Sequence, residues 1–199
     1  MQALPTDNET YLLLILSDAN LPTGSFVASA GLESTAAHAL LNTPTSPTGS
    51  DIIAFLSNSV DTYARSALPF ARDAHHVSAA YASKGIAELD VALSALARLD
   101  ALYDASTLNH VARRASCAQG TALLTLYTKG FTPPPYMMSM SMPGDARAAD
   151  ERESRAGALV AALKLRVRRG ESGAFGHLPI CWGVLVGALG LTVGEIASS

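Results

Sequence analysis

The side chains that could do chemistry in this chain are few, and their spacing limits what they can do alone. His75 and His76 are adjacent, so on a helix they point about 100° apart and cannot hold one metal ion from the same face. Nickel(II) suits imidazole, but a site needs more ligands, and the chain has neither a His pair at i, i+4 nor a Cys-x-x-Cys. A surface pair on a helix is the reading that fits. Met137, Met138, Met140 and Met142 offer thioethers to a soft ion such as Cu(I), or adaptable apolar contact to a partner, but a low-complexity loop explains them more simply. Cys117 sits beside the apolar stripe Leu108 to Leu126 and Cys181 in an apolar run; both lack the local sequence of a catalytic cysteine and read as inert buried thiols. Glu33 is a single carboxylate early in a helix, better placed to complement the helix dipole or an interface cation than to act as a general base. There is no Gly-x-x-x-x-Gly-Lys-Ser/Thr phosphate loop, no Gly-x-Ser-x-Gly elbow and no His-Glu-x-x-His helix. Neither nucleotide hydrolysis nor metal-assisted hydrolysis is therefore expected of this chain by itself.

The most constrained stretch is Leu21-Pro22-Thr23-Gly24-Ser25-Phe26, followed by Ser29-Ala30-Gly31-Leu32-Glu33. Pro22 fixes its own φ and keeps Leu21 extended, Gly24 permits a positive φ, and Ser25 can cap a helix whose inner face begins at Phe26. This predicts a rigid corner opening a helix over 26–41. Gly31 would sit inside that helix, at a cost of about 1 kcal/mol relative to Ala. A glycine flanked by Ala28, Ser29 and Ala30 suits close approach of another backbone; a plain interhelical turn with a packing glycine suits the same residues.

Together with the apolar segment Tyr11 to Ser17 before it, this string resembles the N-terminal pattern of the UreF family of urease accessory proteins, Leu-Pro-x-Gly-x-Phe-x-x-Ser-x-Gly-Leu-Glu. The match falls at Leu21, Pro22, Gly24, Phe26, Ser29, Gly31, Leu32 and Glu33. Two looser echoes follow, one in Arg113-Arg114-Ala115-Ser116-Cys117-Ala118-Gln119-Gly120 with Leu123-Leu124. The other is His177-Leu178-Pro179 with Trp182-Gly183 and Leu189 to Thr192. The resemblance implies an all-helical, non-enzymatic scaffold, dimeric, that binds the accessory protein UreD (also called UreH) and recruits the GTPase UreG, so that nickel is delivered into apo-urease. It implies no cofactor of its own, because nickel is handled by the complex and GTP by the partner. It also points to partner-binding residues at Pro22, Gly24, Phe26, Ser29, Gly31 and Glu33, with Arg114, Gln119 and Gly120 carried over from the looser block. A structural role for all of these stands beside direct contact.

Composition sets the frame. A chain of 199 residues is one domain by default and can bury roughly 70% of its unfolded surface. Charged residues make up 16% and hydrophobic ones 49%, so apolar surface patches, and hence protein partners, are expected. A net charge of −3 gives no footprint for nucleic acid, and Lys164, Arg166, Arg168 and Arg169 read as a solvated helix face. Two cysteines and an apolar run that follows Asp7 and Glu9 rather than basic residues argue for a reducing, cytoplasmic setting without a secretory signal.

The elements read as helices throughout, an all-α, single-domain bundle. The run Leu12 to Leu16 is expected as a buried first helix. A loop over 42–49 leads to Ser50 as the cap of a helix with Ile52, Ile53, Leu56, Val60, Tyr63 and Ala67 on one stripe, and Pro69 starts the next helix. Leu89, Leu93, Leu96, Leu99 and Tyr103 form another stripe; Leu108, Val111, Ala115, Ala118, Ala122 and Leu126 form a third. The Pro- and Met-rich segment 130–145 is expected as a mobile loop before a long helix over 146–169.

From Ala174 to Gly194 no residue carries a formal charge apart from His177, and Gly183/Gly187 and Gly190/Gly194 have the spacing of close helix pairs. Pro179 leaves only about 15 residues from Ile180 to Gly194, short of the roughly 20 that a membrane span requires. A buried, close-packed helix is the expectation and a small helical membrane protein the alternative. A metal carrier using His75, His76, His177 and the Met cluster is a third. Thr192-Val193-Gly194-Glu195 has the form of a capping box with only four residues after it. Because the family resembled continues into further helices, the chain is expected to lack a C-terminal part.

Overall fold

The computed structural model describes residues 7–16, 31–38, 49–131, 145–171 and 173–191. Among them are seven α-helices and no strand: α1 (Asp7–Leu16), α2 (Leu32–Ala37), α3 (Gly49–Ala82), α4 (Leu89–Ser106), α5 (His110–Leu126), α6 (Asp145–Arg169) and α7 (Leu178–Ala188). The all-α expectation holds. No helix among the described residues is long and apolar enough to cross a membrane.

The apolar α7 lies at the centre of the bundle, with Ile180, Cys181, Val184 and Leu185 fully buried. A helix apolar on every side needs cover on every side, and α3, α5 and α6 supply most of it. On α3 the contact is backbone to backbone: a Cβ at Gly183 would meet the Ala71 carbonyl oxygen and Ala74 Cβ, and one at Gly187 would meet Ser78 Cβ at 2.8 Å. Ser78 Oγ donates to Val184 O across this seam at 3.0 Å. The Gly183/Gly187 spacing thus serves a close helix pair inside the bundle. Pro179 stands at the start of α7, where its missing N–H costs nothing.

Arginines on α6 fasten the ends of these two helices. Arg155 donates to Tyr81 O at 2.9 Å and Ile86 O at 2.7 Å, and its guanidinium lies 4.1 Å from the Tyr81 ring centroid. It thereby adds a second donor to the Tyr81 carbonyl, which also accepts the Lys84 N–H, at the C-terminal end of α3, where positive charge is favoured by the dipole. Arg152 likewise adds a donor to Gly187 O, which also accepts the Gly190 N–H, at the end of α7.

Several expectations need correction. Pro69 lies inside α3, which runs unbroken for 34 residues. Its ring is on the exposed side of the helix, where water can take the carbonyl left without a donor, while buried Ala67 and Ala74 hold the helix on either side. Ser50 is within α3 rather than before it. The stripe Ile53, Leu56, Val60 and Tyr63 is exposed, and only Ala67 of that set is buried. On α5 the buried face is Gly120, Leu123 and Leu124. Val111 is exposed, as is Leu108 just before the helix. Both faces have helical spacing, but α7 docks where Gly120 lets its backbone come close. The first helix forms, yet Tyr11 and Leu14 are exposed, and among its described side chains Leu16 alone is buried. Gly130 and Phe131 belong to a π-helical turn over Tyr127–Phe131; the rest of the expected loop up to Gly144, with its methionines, lies outside the described residues, as does the capping box at 192–195.

Candidate functional site

Two of the three sequence blocks singled out above meet at one corner of the bundle, where the end of α4, the start of α5 and the entry to α7 converge. The organising residue is Asp100, almost wholly buried on α4. Its carboxylate accepts three consecutive backbone N–H groups: Phe175 at 2.7 Å, Gly176 at 2.6 Å and His177 at 3.1 Å. These N–H groups converge because Gly176 turns the chain through a positive φ of 76° just before the helix begins. Burial pushes the Asp100 carboxyl above the usual carboxylate range, and the three donors pull it back only in part.

One turn along α4, Asp104 binds two partners. His177 Nε2 donates to Oδ1 at 3.0 Å and Arg113 Nη1 to Oδ2 at 3.1 Å. The His177 ring is fully buried and meets Tyr103 edge to face at 5.0 Å between centroids. Ser116 Oγ accepts the Leu178 N–H at 3.0 Å, satisfying one of the free donors of α7. Gly120 completes the corner: a Cβ there would meet the Gly176 carbonyl oxygen, His177 C at 2.9 Å and Cys181 Sγ at 3.0 Å. Arg113, Ser116 and Gly120 on α5 are thus matched to His177 and Leu178 at the head of α7.

Cys117, His177 and Asp104 lie in the order of a nucleophile, base and orienting carboxylate, but the geometry does not support that chemistry. The Cys117 sulfur is 3.6 Å from Nδ1 and 3.8 Å from Nε2. It therefore lies across both ring nitrogens instead of on the lone-pair axis of either. Burial, and then the charges of Asp100 and Asp104, push its thiol up to about 11, the reverse of an activated cysteine. Burial raises the Cys181 thiol well above the ordinary range. Both read as inert, as their sequence context suggests. His75 is buried, correcting the surface-pair reading, and its Nε2 donates to Leu191 O at 2.8 Å; His76 beside it is exposed. Among the described residues no three His, Cys, Asp or Glu side chains gather to hold a metal ion.

The remaining site residues fall in different places. Pro22, Gly24, Phe26 and Ser29 lie outside the described residues. Gly31 is the N-cap of α2 with φ 94°, not an interior helix position, and a Cβ there would meet no atom within 4 Å. It is a conformational glycine, needed for the left-handed turn. Glu33 is exposed in the first turn of α2, where a carboxylate favours the dipole. Arg114 is exposed, Gln119 half-buried and Gly120 enclosed by its own chain. One turn beyond Arg114 a shallow groove runs along the outer face of α5, lined among the described residues by Ala118, Thr121, Ala122, Thr125, Leu126 and Lys129.

Asp100 and Asp104 lie outside the sequence blocks singled out above, and Ser116 lies within one of them without having been assigned a role. A signal for Asp100 was present: Leu93, Leu96 and Tyr103 are core positions, and Asp100 occupies the register between the last two, where an apolar residue would be expected.

Comparison with known proteins decides the family. The UreF family model matches residues 48–199. The chain belongs to the UreF family. The match begins at α3 and takes in the whole α4–α5–α7 corner, whereas the block at 21–33 lies outside it. Urease accessory protein 6 of Cryptococcus neoformans var. grubii is 33% identical over 210 residues, covering 95% of this chain and 65% of that protein. An uncharacterized UreF-like urease accessory protein of Schizosaccharomyces pombe is 26% identical over 191 residues, covering 94% and 64%. The chain thus spans just under two thirds of the length of these relatives. No solved structure matches it.

Proposed function

We propose that this chain is a non-catalytic scaffold of urease maturation, which binds UreD (UreH), recruits the GTPase UreG and so supports nickel insertion into apo-urease. Membership of the UreF family over residues 48–199 is the observation that carries this reading. The chemistry of the corner agrees with it: the Asp100–His177 and Asp104–Arg113 contacts consume their polar groups internally, and the thiol is unactivated. What remains for partners is the surface. Arg114, the exposed edge of Gln119 and the α5 groove form one face. Glu33 on α2 is a second contact point, and Pro22, Gly24, Phe26 and Ser29, which lie outside the described residues, are carried as partner-binding residues by the sequence resemblance alone. Gly31 and Gly120 serve these faces indirectly, Gly31 by setting a turn and Gly120 by admitting α7. The protein acts in the cytoplasm, associates with itself, and holds no cofactor of its own.

The test is co-purification with UreD and UreG, together with restoration of urease activity in cells lacking their own UreF. Capture of both partners and a restored activity are expected, with Arg114→Glu lowering both at unchanged thermal stability. A chain that captures neither partner and restores no activity overturns the reading. Gly31→Trp is not a useful probe of contact, because any side chain at φ 94° is strained whether or not a partner binds.

A further inference from the structure

The groove on the outer face of α5 has a volume of about 490 Å³ and runs from Ala118 to Lys129, roughly three turns or about 16 Å of helix. Its floor is built of small and apolar side chains, with Ala118, Ala122 and Leu126 beside Thr121 and Thr125. The Thr125 hydroxyl donates back to Thr121 O at 2.9 Å, so the floor makes little polar demand on an occupant and lets another backbone come close.

The edge of the groove is cationic. On its threonine side α6 runs antiparallel to α5: Lys164 Nζ donates to Thr128 Oγ1 at 2.9 Å, and further along α6 Val167 comes beside Thr121. A Cβ at Gly176 would meet Val167 Cγ1 at 2.9 Å and Thr121 Oγ1 at 3.5 Å. Lys164 and Arg168 therefore stand one turn apart along this edge, with Lys129 at its end. Burial, and then the charges of Arg168 and Lys129, hold the Lys164 ammonium below the usual lysine range. Like charges at i, i+4 repel, yet among the described residues none of the three cations pairs with a carboxylate. Glu171, close behind Arg168 in the chain, is held instead by Arg166 and Arg169, at 3.5 and 3.8 Å. Helix dipoles favour Lys129 and Arg168 near C-terminal ends, but Lys164 precedes the last turn of α6. The segments of this sequence outside the described residues hold just two carboxylate side chains, Asp18 and Glu195, so none of them is an acidic stretch that could cover the edge.

We propose that this groove docks an acidic amphipathic helix of a partner protein, about three turns long, with small apolar side chains on the α5 floor and carboxylates along the Lys129, Lys164 and Arg168 edge. It deepens the α5 face of the function proposed above, by naming the chemistry of what binds there, and rests on that face alone. The charged edge sets the orientation and speeds the encounter, while the apolar floor holds the helix.

Fluorescence anisotropy with the full chain and a labelled synthetic peptide tests it. The probe is a helix of about 15 residues, with alanine and leucine at i, i+3, i+4 and i+7 and glutamates along one flank. Saturable binding is expected, weaker as salt rises, and absent for the same helix carrying lysines. Arg168→Glu, at an exposed position, should weaken it about 10-fold or more, and Arg98→Glu, the same charge change on exposed α4 surface, should not. Ala122→Trp, which fills the groove and leaves the charges alone, should weaken it as well, with unchanged far-UV circular dichroism in every variant. The comparison of glutamate and lysine helices decides the matter even where a variant fails to fold. No binding of the glutamate helix, equal binding of the lysine helix, or indifference to Ala122→Trp would overturn the proposal. So would displacement by inorganic phosphate at constant ionic strength, which marks a small-anion site, or a dimer in sedimentation velocity that Arg168→Glu dissolves, which gives the groove to a second copy. The peptide measurements involve no accessory protein, so their failure leaves capture of UreD and UreG and urease activation to be judged separately.

Discussion

At Gly183 an added methyl group would run into the Ala71 carbonyl oxygen, which is backbone and cannot swing aside, whereas at Gly157 on α6 it would meet nothing within 4 Å. The same substitution should therefore have opposite signs at the two sites. Gly183→Ala is expected to destabilise by about 1–3 kcal/mol through overpacking, and Gly157→Ala to stabilise by roughly 0.5–1 kcal/mol through helix propensity. Urea unfolding midpoints at matched slope decide between them. Asp100→Asn removes one carboxylate oxygen from three converging N–H groups, leaving at least one without a partner at a cost of about 1–3 kcal/mol. Because burial raises the Asp100 carboxyl, the folded chain holds that proton more tightly than the unfolded one. The group's contribution is then full below the ordinary carboxylate range and is lost as pH rises through the folded value. The stability gap between wild type and Asp100→Asn should accordingly be wider at pH 4 than at pH 7. Cys117, held up to about 11, should react with iodoacetamide slowly at pH 8 and with a rate that climbs to a midpoint near pH 11. A midpoint in the ordinary thiol range would show that its surroundings are more polar than the geometry indicates.

At the scale of elements, α3 is where sequence and structure part most instructively. A proline in a run of helix formers argues for a break, because the local rule costs about 3 kcal/mol. Here the packing of Ala71, Ala74 and Ser78 against α7 outweighs it. Pro69→Ala should restore a hydrogen bond to Arg65 O and raise stability by about 1–3 kcal/mol, read as a higher thermal midpoint. The core of α4 and the position of α6 were legible because each has one strongly periodic face with little competition. The buried face of α5 was not, since two stripes of helical spacing compete on it and only the backbone approach at Gly120 selects between them. That approach depends on the conformation at Gly176, more than fifty residues away, and no local pattern reports it. The candidate site was half legible. Arg113, Ser116, Gly120 and His177 stood in the blocks already noticed, but their meeting point depends on Asp100 and Asp104, which reads as a pair of ordinary helix acids until α4 is placed.

For the molecule as a whole, the seating of α7 means that the centre of the bundle comes from the far end of the described chain. Ser78 and Val184, which share a hydrogen bond, are 106 residues apart in sequence. A protein cut after Gly173 should keep much of its local helicity but lose cooperative unfolding and bind a hydrophobic dye; a sharp thermal transition in that fragment would mean that the remaining helices can close without α7. At a synthesis rate of about 5–20 residues per second, the face of α3 that waits for Gly183 and Gly187 leaves the ribosome on the order of 5–20 s before its mate. Through that interval a nascent chain carries an uncovered flat, apolar strip, which makes early release, slow translation and a crowded polysome the conditions under which this protein is most exposed to misassembly.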